Sequence, residues 1–312
     1  MFISICIPAY KNLLFVERLL SSIAIQSFRD FEVVITDDSP DDELEKFISN
    51  YESTFKIQYF KNSNALGTPE NWNASIRNAK GQWIKLMHDD DWFADEDCLK
   101  KFAETAQHNS ASFIFSAYEN IYLEENKVEL IIENKYSYRF WQLKKNVASL
   151  LSKNIIGPPS VAMHLNNGKY FYDKQLKWLV DIDFYYHIIC KEKVYYITQP
   201  LINVGLGKEQ VTQACFRIAE VEIPEYFYFM NKIGWKNLNN ILVYDASWRL
   251  FRNLGIKKNN DVVIAGYHDE VPSRITSMIN FQNKLPNQFL KIGFISKLFM
   301  LFHYLFFRKI KP

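Results

Sequence analysis

Three adjacent carboxylates, Asp89, Asp90 and Asp91, stand between the apolar run 83–87 and Trp92. Their mutual repulsion raises the cost of keeping all three ionised unless a cation or a strong hydrogen-bond donor compensates. Hard divalent ions prefer oxygen ligands, so the triplet predicts a metal site. The alternative is a solvated acidic turn that caps the next helix, because aspartate favours the N-cap position.

A second pair of carboxylates, Asp181 and Asp183, lies in the mainly apolar segment 178–190, which predicts a helix. Four apolar residues share one face of that helix: Leu179, Ile182, Tyr186 and Ile189. Placing a carboxylate among apolar neighbours costs free energy, because the charge loses its hydration. We therefore regard Asp181 and Asp183 as candidate functional residues.

Alternating strands and helices must position these carboxylates. Apolar runs at 2–7, 31–36, 56–60 and 83–87 predict strands, and a helical pattern follows each of the first three. Thr68 is expected to cap the third helix, with Pro69 in its first turn, and Gly81 to end it in a left-handed conformation. The alternation predicts an α/β fold with a largely parallel sheet covered on both faces.

Ligands of such sheets bind beyond the carboxyl ends of the strands. Three polar segments follow strand ends in this chain, namely Pro8-Ala9-Tyr10, Asp37-Asp38-Ser39 and 88–91. They are far apart in sequence, yet a parallel sheet would bring them to one edge. This convergence favours the metal site over the solvated turn.

The remaining pattern predicts two regions. The first region is completed by helices at 95–107 and 140–151, strands at 112–116, 161–163 and 194–197, and extended runs at 120–123 and 127–132. Beyond about residue 208 the pattern is helical, without a clear strand. We therefore predict a catalytic domain over residues 1–207 and a mainly helical region over residues 208–312.

Composition excludes several functional classes. The net charge of +2 gives no reason to expect a nucleic-acid partner, and no GxGxxG motif follows the first strand, which argues against a nicotinamide dehydrogenase. The widely spaced cysteines, Cys6, Cys98, Cys190 and Cys215, predict free thiols in a reducing compartment. The first residues lack a basic segment and run into a strand, so a cytoplasmic location is expected.

The tail, residues 289–312, contains the apolar stretch 298–307, with Lys291 and Lys297 before it and Arg308, Lys309 and Lys311 after it. Ten residues are too few to span a bilayer. Large apolar side chains beside basic ends are typical of a segment that lies on an anionic membrane surface. The alternative is a terminal helix docked on the body of the protein.

Four segments together resemble the family 2 glycosyltransferases of the GT-A fold, particularly bacterial enzymes of surface-polysaccharide assembly such as O-antigen and capsule. These segments are 5–12, 33–39, 73–91 and 178–183, and the resemblance covers roughly residues 1–205. It implies a Rossmann-like, mostly parallel sheet flanked by helices, with a helical C-terminal region. It also implies a nucleotide-sugar donor, and carboxylates facing a uracil imide fit UDP best.

The resemblance assigns roles residue by residue. Counted from Gly81, the DxD carboxylates of the family fall on His88 and Asp90, so that Asp90 and Asp91 are expected to bind Mn2+ or Mg2+. His88 is expected to be a hydrogen-bonded neighbour. The expected nucleotide-binding residues are Pro8, Ala9, Tyr10, Asp37, Asp38, Asn73 and Asp89.

At the later motif Asp181 aligns with the catalytic base and Asp183 with a supporting acid. Val180 replaces the usual glutamate, and His187 replaces an arginine often found further along the helix. The resemblance thus implies a metal-dependent inverting transfer of a sugar to a lipid-linked oligosaccharide at the inner face of the cytoplasmic membrane. Because of Val180 and His88, the alternative is a catalytically inactive scaffold that binds sugar nucleotides.

Overall fold

The computed structural model describes residues 1–52, 54–125, 127–207 and 215–307. The chain forms two compact units. The first comprises Met1–Phe140, Ile155–Lys174 and Asp183–Gln210, and the second comprises Trp141–Asn154, Gln175–Ile182 and Val211–Pro312. Two segments that precede residue 207 in sequence are therefore grouped with the C-terminal residues.

The first unit contains a nine-stranded sheet. Its strands are β1 (Ile3–Ala9), β2 (Phe31–Asp37), β3 (Ile57–Lys61), β4 (Trp83–Leu86), β5 (Trp92–Phe93), β6 (Phe113–Tyr122), β7 (Lys127–Ile131), β8 (Ala162–Leu165) and β9 (Val194–Leu206). Its helices are α1 (Leu13–Ala24), α2 (Glu43–Asn50), α3 (Glu70–Asn78) and α4 (Cys98–His108). Two more helices, α5 (Tyr138–Lys145) and α6 (Val180–Ile189), contribute residues to both units.

The sheet has the strand order β3-β2-β1-β4-β8-β6-β9-β5, and β7 pairs with β6. The first four strands in this order are parallel, as the sequence predicts. Every residue of β1 and β2 is buried, so these strands are mainly apolar, and Oγ of the buried Ser4 donates a hydrogen bond to Oε1 of the buried Glu32 at 2.7 Å. The other half is mixed, because β8 runs antiparallel to both β4 and β6, and β5 runs antiparallel to β9.

The last strand is longer than the sequence predicts. The prediction ended the strand at residue 197, whereas β9 continues to Leu206. Pro200 lies in the middle of β9 and stands opposite Ala117, where the pairing with β6 shifts register. Proline is tolerated at such an irregularity because the ladder hydrogen bond is already lost there. This is why Pro200 does not end the strand.

The predicted left-handed turn at Gly81 is wrong. Helix α3 ends earlier, with Ala79 in an extended conformation as its C-cap, and Pro69 rather than Thr68 is its N-cap. Gly81 is not among the residues with positive φ. It is required for another reason, since a Cβ there would lie 2.6 Å from the backbone nitrogen of Ser4.

The second unit is helical in its described residues. Besides 3-10 helices at Val147–Leu151 and Trp235–Asn239, it contains α7 (Ala219–Ile233), α8 (Ile241–Asn253), α9 (Asn259–Ile264), α10 (Ser273–Asn283), α11 (Asn287–Lys291) and α12 (Gly293–Phe307). The helix predicted at 140–151 is interrupted at Asn146, whose side chain caps the 3-10 turn by accepting from the amide of Ala148. Trp248, Tyr244 and Phe251 of α8 are among its buried side chains.

Helix α12 buries its polar side and exposes apolar residues. Ser296 and His303 are fully buried, where Ser296 accepts a hydrogen bond from the Trp248 indole and His303 pairs with the Tyr244 hydroxyl. Five large apolar side chains remain 47–73% exposed, namely Phe294, Leu298, Phe302, Leu305 and Phe306. Across the described residues, none of the helices is both long enough and apolar enough to cross a membrane.

Candidate active site

The acidic triplet lies in a turn directly after β4. The strand ends beside β1, where the amide of Met87 donates to the carbonyl of Cys6 at 2.8 Å. The turn is closed by the amide of Asp91, which donates to the carbonyl of His88 at 3.2 Å. Strand β5 follows, and the N-cap of α4 is Asp97, so the triplet does not cap the next helix. The alternative of a helix-capping turn is thereby excluded.

Three side chains of this turn form a cluster that could hold a metal ion. One ligand atom each from His88, Asp90 and Asp91 lies within 4.8 Å of the others. Nε2 of His88 is buried and has no hydrogen-bond partner among the described residues. Two carboxylates and one imidazole suit a divalent ion such as Mn2+ or Mg2+. The residues present therefore fit the metal that the sequence predicts, and His88 belongs to the candidate set.

Two residues far away in sequence hold the acidic turn. Nη2 of Arg18 donates to the carbonyl of Asp90 at 2.7 Å, and its guanidinium stacks 3.8 Å from the ring centroid of Trp92. The amide of Gly205 donates to Oδ1 of Asp91 at 3.1 Å. A Cβ at residue 205 would lie 2.3 Å from the carbonyl oxygen of Asp90, so only glycine fits there. The sequence reasoning missed both Arg18 and Gly205.

Burial shifts the pKa values of this cluster. Burial, followed by the charge of Asp90, raises the pKa of Asp89 to about 7 and that of Asp91 well above its usual range. Burial also lowers the pKa of Lys85 to about 7, although the charge of Asp91 opposes this. Burial likewise lowers the pKa of His88. The site is thus a desolvated acidic cluster, and a bound cation would stabilise its ionised form.

The structure brings the three strand ends together at one edge of the sheet. The amide of Tyr10 donates to Oδ2 of Asp89 at 3.4 Å, and the amide of Lys11 donates to Oγ of Ser39 at 2.7 Å. Pro8 and Ala9 pair with the last residues of β2. Tyr10 is 54% exposed, whereas Ala9 is fully buried. The predicted nucleotide loop and the acidic turn are therefore neighbours.

Asp37 is fully buried, and both of its carboxylate oxygens accept hydrogen bonds within the protein. Oδ1 accepts from the amide of Ser39 at 2.7 Å. Oδ2 accepts from the Tyr59 hydroxyl at 2.7 Å and from Nζ of Lys61 at 3.0 Å. Asp37 therefore orders the turn after β2, and its role as a nucleotide ligand stays a prediction.

Asp38 organises the loop that leads into α3. Its Oδ1 accepts from Nδ2 of Asn62 at 2.8 Å and from the amide of Leu66 at 3.0 Å, and its Oδ2 accepts from the amide of Gly67 at 2.8 Å. Gly67 has a φ of 72°, a conformation that favours glycine. Binding of the ribose or base by Asp38 likewise stays a prediction.

Asn73 is 2% exposed and holds another part of the first unit. Its side-chain amide donates to the carbonyl of Tyr172 and accepts from the amide of Tyr172, both at 2.8 Å. The neighbouring Asn71, which the sequence reasoning missed, donates to the carbonyls of Ala9 and Thr36 and so joins the ends of β1 and β2. A contact of Asn73 with the nucleotide remains a prediction.

The second pair of candidate residues lies near the start of α6. Asp181 is the second residue of the helix and is grouped with the second unit, whereas Asp183 is grouped with the first. Burial raises the pKa of Asp181 to about 7, and its Oδ1 has no hydrogen-bond partner among the described residues. Oδ1 of Asp183 lies 3.5 Å from Nδ1 of His187. A partly buried carboxylate with a raised pKa is suited to accept a proton near neutral pH.

Curated relatives of this chain include glycosyltransferases. An uncharacterized glycosyltransferase of Haemophilus influenzae is 31% identical over 113 residues, which cover 36% of this chain and 37% of the relative. The GalNAc(5)-diNAcBac-PP-undecaprenol beta-1,3-glucosyltransferase of Campylobacter jejuni is 29% identical over 91 residues, which cover 28% and 29% of the two chains. The chain spans less than half the length of each of these relatives.

Solved structures share the fold. Residues 1–349 of TarS from S. aureus, in complex with UDP-GlcNAc, superpose with a TM-score of 0.58 at 14% identity, covering 97% of this chain and 89% of TarS. The mannosyltransferase PcManGT from Pyrobaculum calidifontis, in complex with GDP-Man and Mn2+, gives a TM-score of 0.54 at 13% identity and covers 98% and 88% of the two chains.

The expected architecture is confirmed by this likeness, because the sheet of the first unit and the helical C-terminal region are those of a GT-A glycosyltransferase fold. The model of the family described as "Glycosyl transferase family 2" matches residues 4–163, which is more than half of the chain. This match includes the acidic turn after β4 and the polar segments at the ends of β1 and β2. The chain therefore belongs to glycosyl transferase family 2.

Proposed function

We propose that this protein is a metal-dependent, inverting glycosyltransferase that transfers a sugar from a UDP-sugar to a lipid-linked oligosaccharide in surface-polysaccharide synthesis. The observation that carries the proposal is the cluster of His88, Asp90 and Asp91 at the carboxyl edge of the sheet in a member of this family. The UDP-GlcNAc complex of TarS and the undecaprenol-linked acceptor in the name of the Campylobacter relative support the donor and acceptor classes.

Asp90 and Asp91, with His88 beside them, are the residues that would hold Mn2+ or Mg2+. When bound, the ion supplies Lewis-acid stabilisation of the negative charge that develops on the diphosphate leaving group. Arg18 and Gly205 keep the backbone of this turn in place. The proposed nucleotide-binding residues are Pro8, Ala9, Tyr10, Asp37, Asp38, Asn73 and Asp89.

The acceptor hydroxyl must lose its proton as it attacks the anomeric carbon, and Asp181 is the proposed base. Its pKa of about 7 leaves the carboxylate ionised in a large fraction of molecules at neutral pH while keeping it basic. Asp183 is proposed as the supporting acid. Attack from the face opposite the leaving group inverts the anomeric centre, through an oxocarbenium-like transition state.

A UDP-release assay across a panel of nucleotide sugars, with and without EDTA, tests the proposal. We expect one or a few UDP-sugars to release UDP in the presence of a lipid-linked acceptor. EDTA should stop the release, and added Mn2+ or Mg2+ should restore it. UDP release that continues unchanged in excess EDTA would contradict the metal requirement, and turnover that releases only a different nucleotide, such as GDP from a GDP-sugar, would contradict the donor class.

The second candidate function is a catalytically inactive scaffold that binds sugar nucleotides. The sequence favours it at two positions, because Val180 and His88 depart from the family motifs. The same assay separates the two functions. Tight UDP-sugar binding without UDP release for any acceptor in the panel would establish the scaffold.

The outward side of α12 is proposed to contact the inner face of the cytoplasmic membrane. Phe294, Leu298 and Phe306 are 51–73% exposed, and Lys291 and Lys297 provide positive charge nearby. The basic residues Arg308, Lys309 and Lys311 lie outside the described residues. This helix buries Ser296 and His303 and exposes large apolar side chains. An exposed apolar patch of this kind is typical of a surface that contacts a membrane or a partner rather than water.

We expect the full-length protein to sediment with vesicles rich in phosphatidylglycerol and to bind neutral vesicles more weakly. The triple variant Phe294→Ser, Leu298→Ser and Phe306→Ser should lower vesicle affinity at least about tenfold, because each side chain loses apolar area that the membrane would bury. Ile264→Ser removes an apolar side chain that is 71% exposed elsewhere in the second unit, and it should have no effect. Equal vesicle binding by the triple variant and the wild type would refute membrane contact through α12.

A further inference from the structure

Glu225 of α7 binds the chain segment that leads into α6. Its Oε1 accepts a hydrogen bond from the amide of Lys177 at 2.8 Å. Its Oε2 accepts from the amides of Trp178 and Leu179, both at 2.9 Å. All of these residues belong to the second unit. One carboxylate therefore fixes three consecutive peptide groups immediately before Val180, where the helix begins.

The position of this carboxylate is electrostatically favourable. The three amides lie just before the helix and take no part in its internal hydrogen bonds, and the positive end of the helix dipole favours negative charge beside them. Glu225 is 7% exposed, so water cannot readily take over these hydrogen bonds. Burial raises the pKa of Glu225, whereas the three amides act in the opposite direction. The contact thus joins α7 firmly to the start of α6.

Asp181 follows this clamped segment by two residues. Its Oδ1 is buried without a hydrogen-bond partner in the described part of the chain, so no bond to that atom aims the carboxylate. The direction of the side chain must then depend mainly on where the backbone of the first helical turn lies. Through the three amides, Glu225 holds the segment immediately before that turn.

We infer that Glu225 is a positioning residue that holds the start of α6 so that the carboxylate of Asp181 can take the proton of the acceptor. The inference rests on the proposed function, because it assumes Asp181 to be the base. It assigns to Glu225 no contact with donor or acceptor. Its effect should therefore appear in the chemical step and not in donor binding.

The test is Glu225→Gln in the full-length protein, with Glu222→Gln as the matched control. Glu222 lies one turn earlier on α7 and is also buried, but its Oε1 accepts from the amide of Arg217 instead. Glutamine keeps only one acceptor oxygen and turns an NH2 group toward the amides. We expect Glu225→Gln to lower kcat by a factor on the order of 10 to 100, as a misplaced catalytic group does. The donor Kd should stay unchanged, and Glu222→Gln should keep wild-type kcat.

Two further readouts separate positioning from a general loss of structure. The acid limb of the pH profile of kcat should move to lower pH in Glu225→Gln, because a displaced Asp181 gains water and its pKa falls toward the usual range. Amide hydrogen exchange of residues 177–179 should accelerate in Glu225→Gln and not in Glu222→Gln. If Glu225→Gln does not fold, Glu225→Asp, which withdraws the carboxylate by one methylene group, should show the same changes in smaller measure.

Wild-type kcat together with an unmoved acid limb in the folded Glu225 variant would overturn the inference. A failure of the proposed function is distinguishable, because it would show in Asp181→Asn with Glu225 intact. If Asp181→Asn keeps wild-type turnover, Asp181 is not the base, and both its proposed role and the positioning role of Glu225 fall. If Asp181→Asn loses turnover and Glu225→Gln does not, only the positioning role falls.

Discussion

Replacing Asp90 with alanine is expected to abolish Mn2+-dependent UDP binding and to lower kcat/KM by about 1,000-fold or more. The variant removes one of the two carboxylates of the candidate metal cluster. A bound metal stabilises the developing charge by several kcal/mol, and each 1.4 kcal/mol corresponds to a factor of ten in rate. Calorimetric titration with UDP, in Mn2+ and in EDTA, measures the binding, and UDP release measures the turnover.

Glu96→Ala is the matched control for the loss of one negative charge near the site. Glu96 is exposed and lies five residues beyond Asp91, outside the cluster. The control should bind UDP and turn over like the wild type. If Asp90→Ala kept the wild-type affinity for UDP in Mn2+, the assignment of Asp90 as a metal ligand would be wrong.

Replacing Asp181 with asparagine is expected to preserve UDP binding and to lower kcat by a factor on the order of 100 to 10,000. General-base catalysis contributes about this much, and asparagine cannot accept the proton. Only the ionised form of Asp181 acts as a base. Because its pKa is raised to about 7, wild-type kcat should fall as the pH drops below about 7, whereas a carboxylate of ordinary pKa would stay active to about pH 4. The pH profile of kcat at saturating donor measures this limb.

Asp183→Asn tests whether the two carboxylates exchange roles. Asp183 lies next to His187, and we expect the variant to keep the acid limb near pH 7 with a smaller loss of kcat. An acid limb that disappears in Asp183→Asn but persists in Asp181→Asn would identify Asp183 as the base. Wild-type kcat in Asp181→Asn would contradict the proposed role of Asp181.

The parallel half of the sheet could be predicted from the sequence because its strands carry a strong local signal. Each of β1, β2 and β4 is a buried, mainly apolar segment followed by polar residues. The antiparallel pairings could not be predicted. Strand β5 has two residues and β8 has four, which is too short for a recognisable period, and their partners are set only by tertiary packing.

The carboxylates at the centre of the candidate site could be predicted from the sequence, whereas the residues that hold them in place could not. Asp90 and Asp91 stand out as adjacent carboxylates at a strand end, which is a local pattern. Arg18 and Gly205 lie 72 and 114 residues away from the groups they contact, so spacing along the chain gives no hint of them. A glycine within an apolar strand often marks the close approach of another backbone, and this signal at Gly205 could have been used.

Composition could not reveal which carboxylates accept hydrogen bonds from other residues of the protein. Asp37 and Asp38 have the residue types and the position expected of nucleotide ligands, but each already accepts three hydrogen bonds from neighbouring residues. Asn73 is likewise engaged within the protein, because its side-chain amide is hydrogen-bonded to the backbone of Tyr172. Such contacts depend on the folded arrangement of segments that are distant in sequence. A motif position alone therefore does not distinguish a nucleotide ligand from a residue that orders its own loop.

Because a Cβ at residue 205 would collide with the carbonyl of Asp90, the acidic turn cannot be transferred to another protein by itself. A designer who grafted residues 87–92 onto another parallel sheet would transfer the carboxylates but not the strand that accommodates them. The graft would lose the amide that binds Asp91 and the space that the absent side chain leaves. The smallest transferable unit comprises the turn together with β9 and with α1, which carries Arg18, and design by local sequence motif would treat these three segments as unrelated.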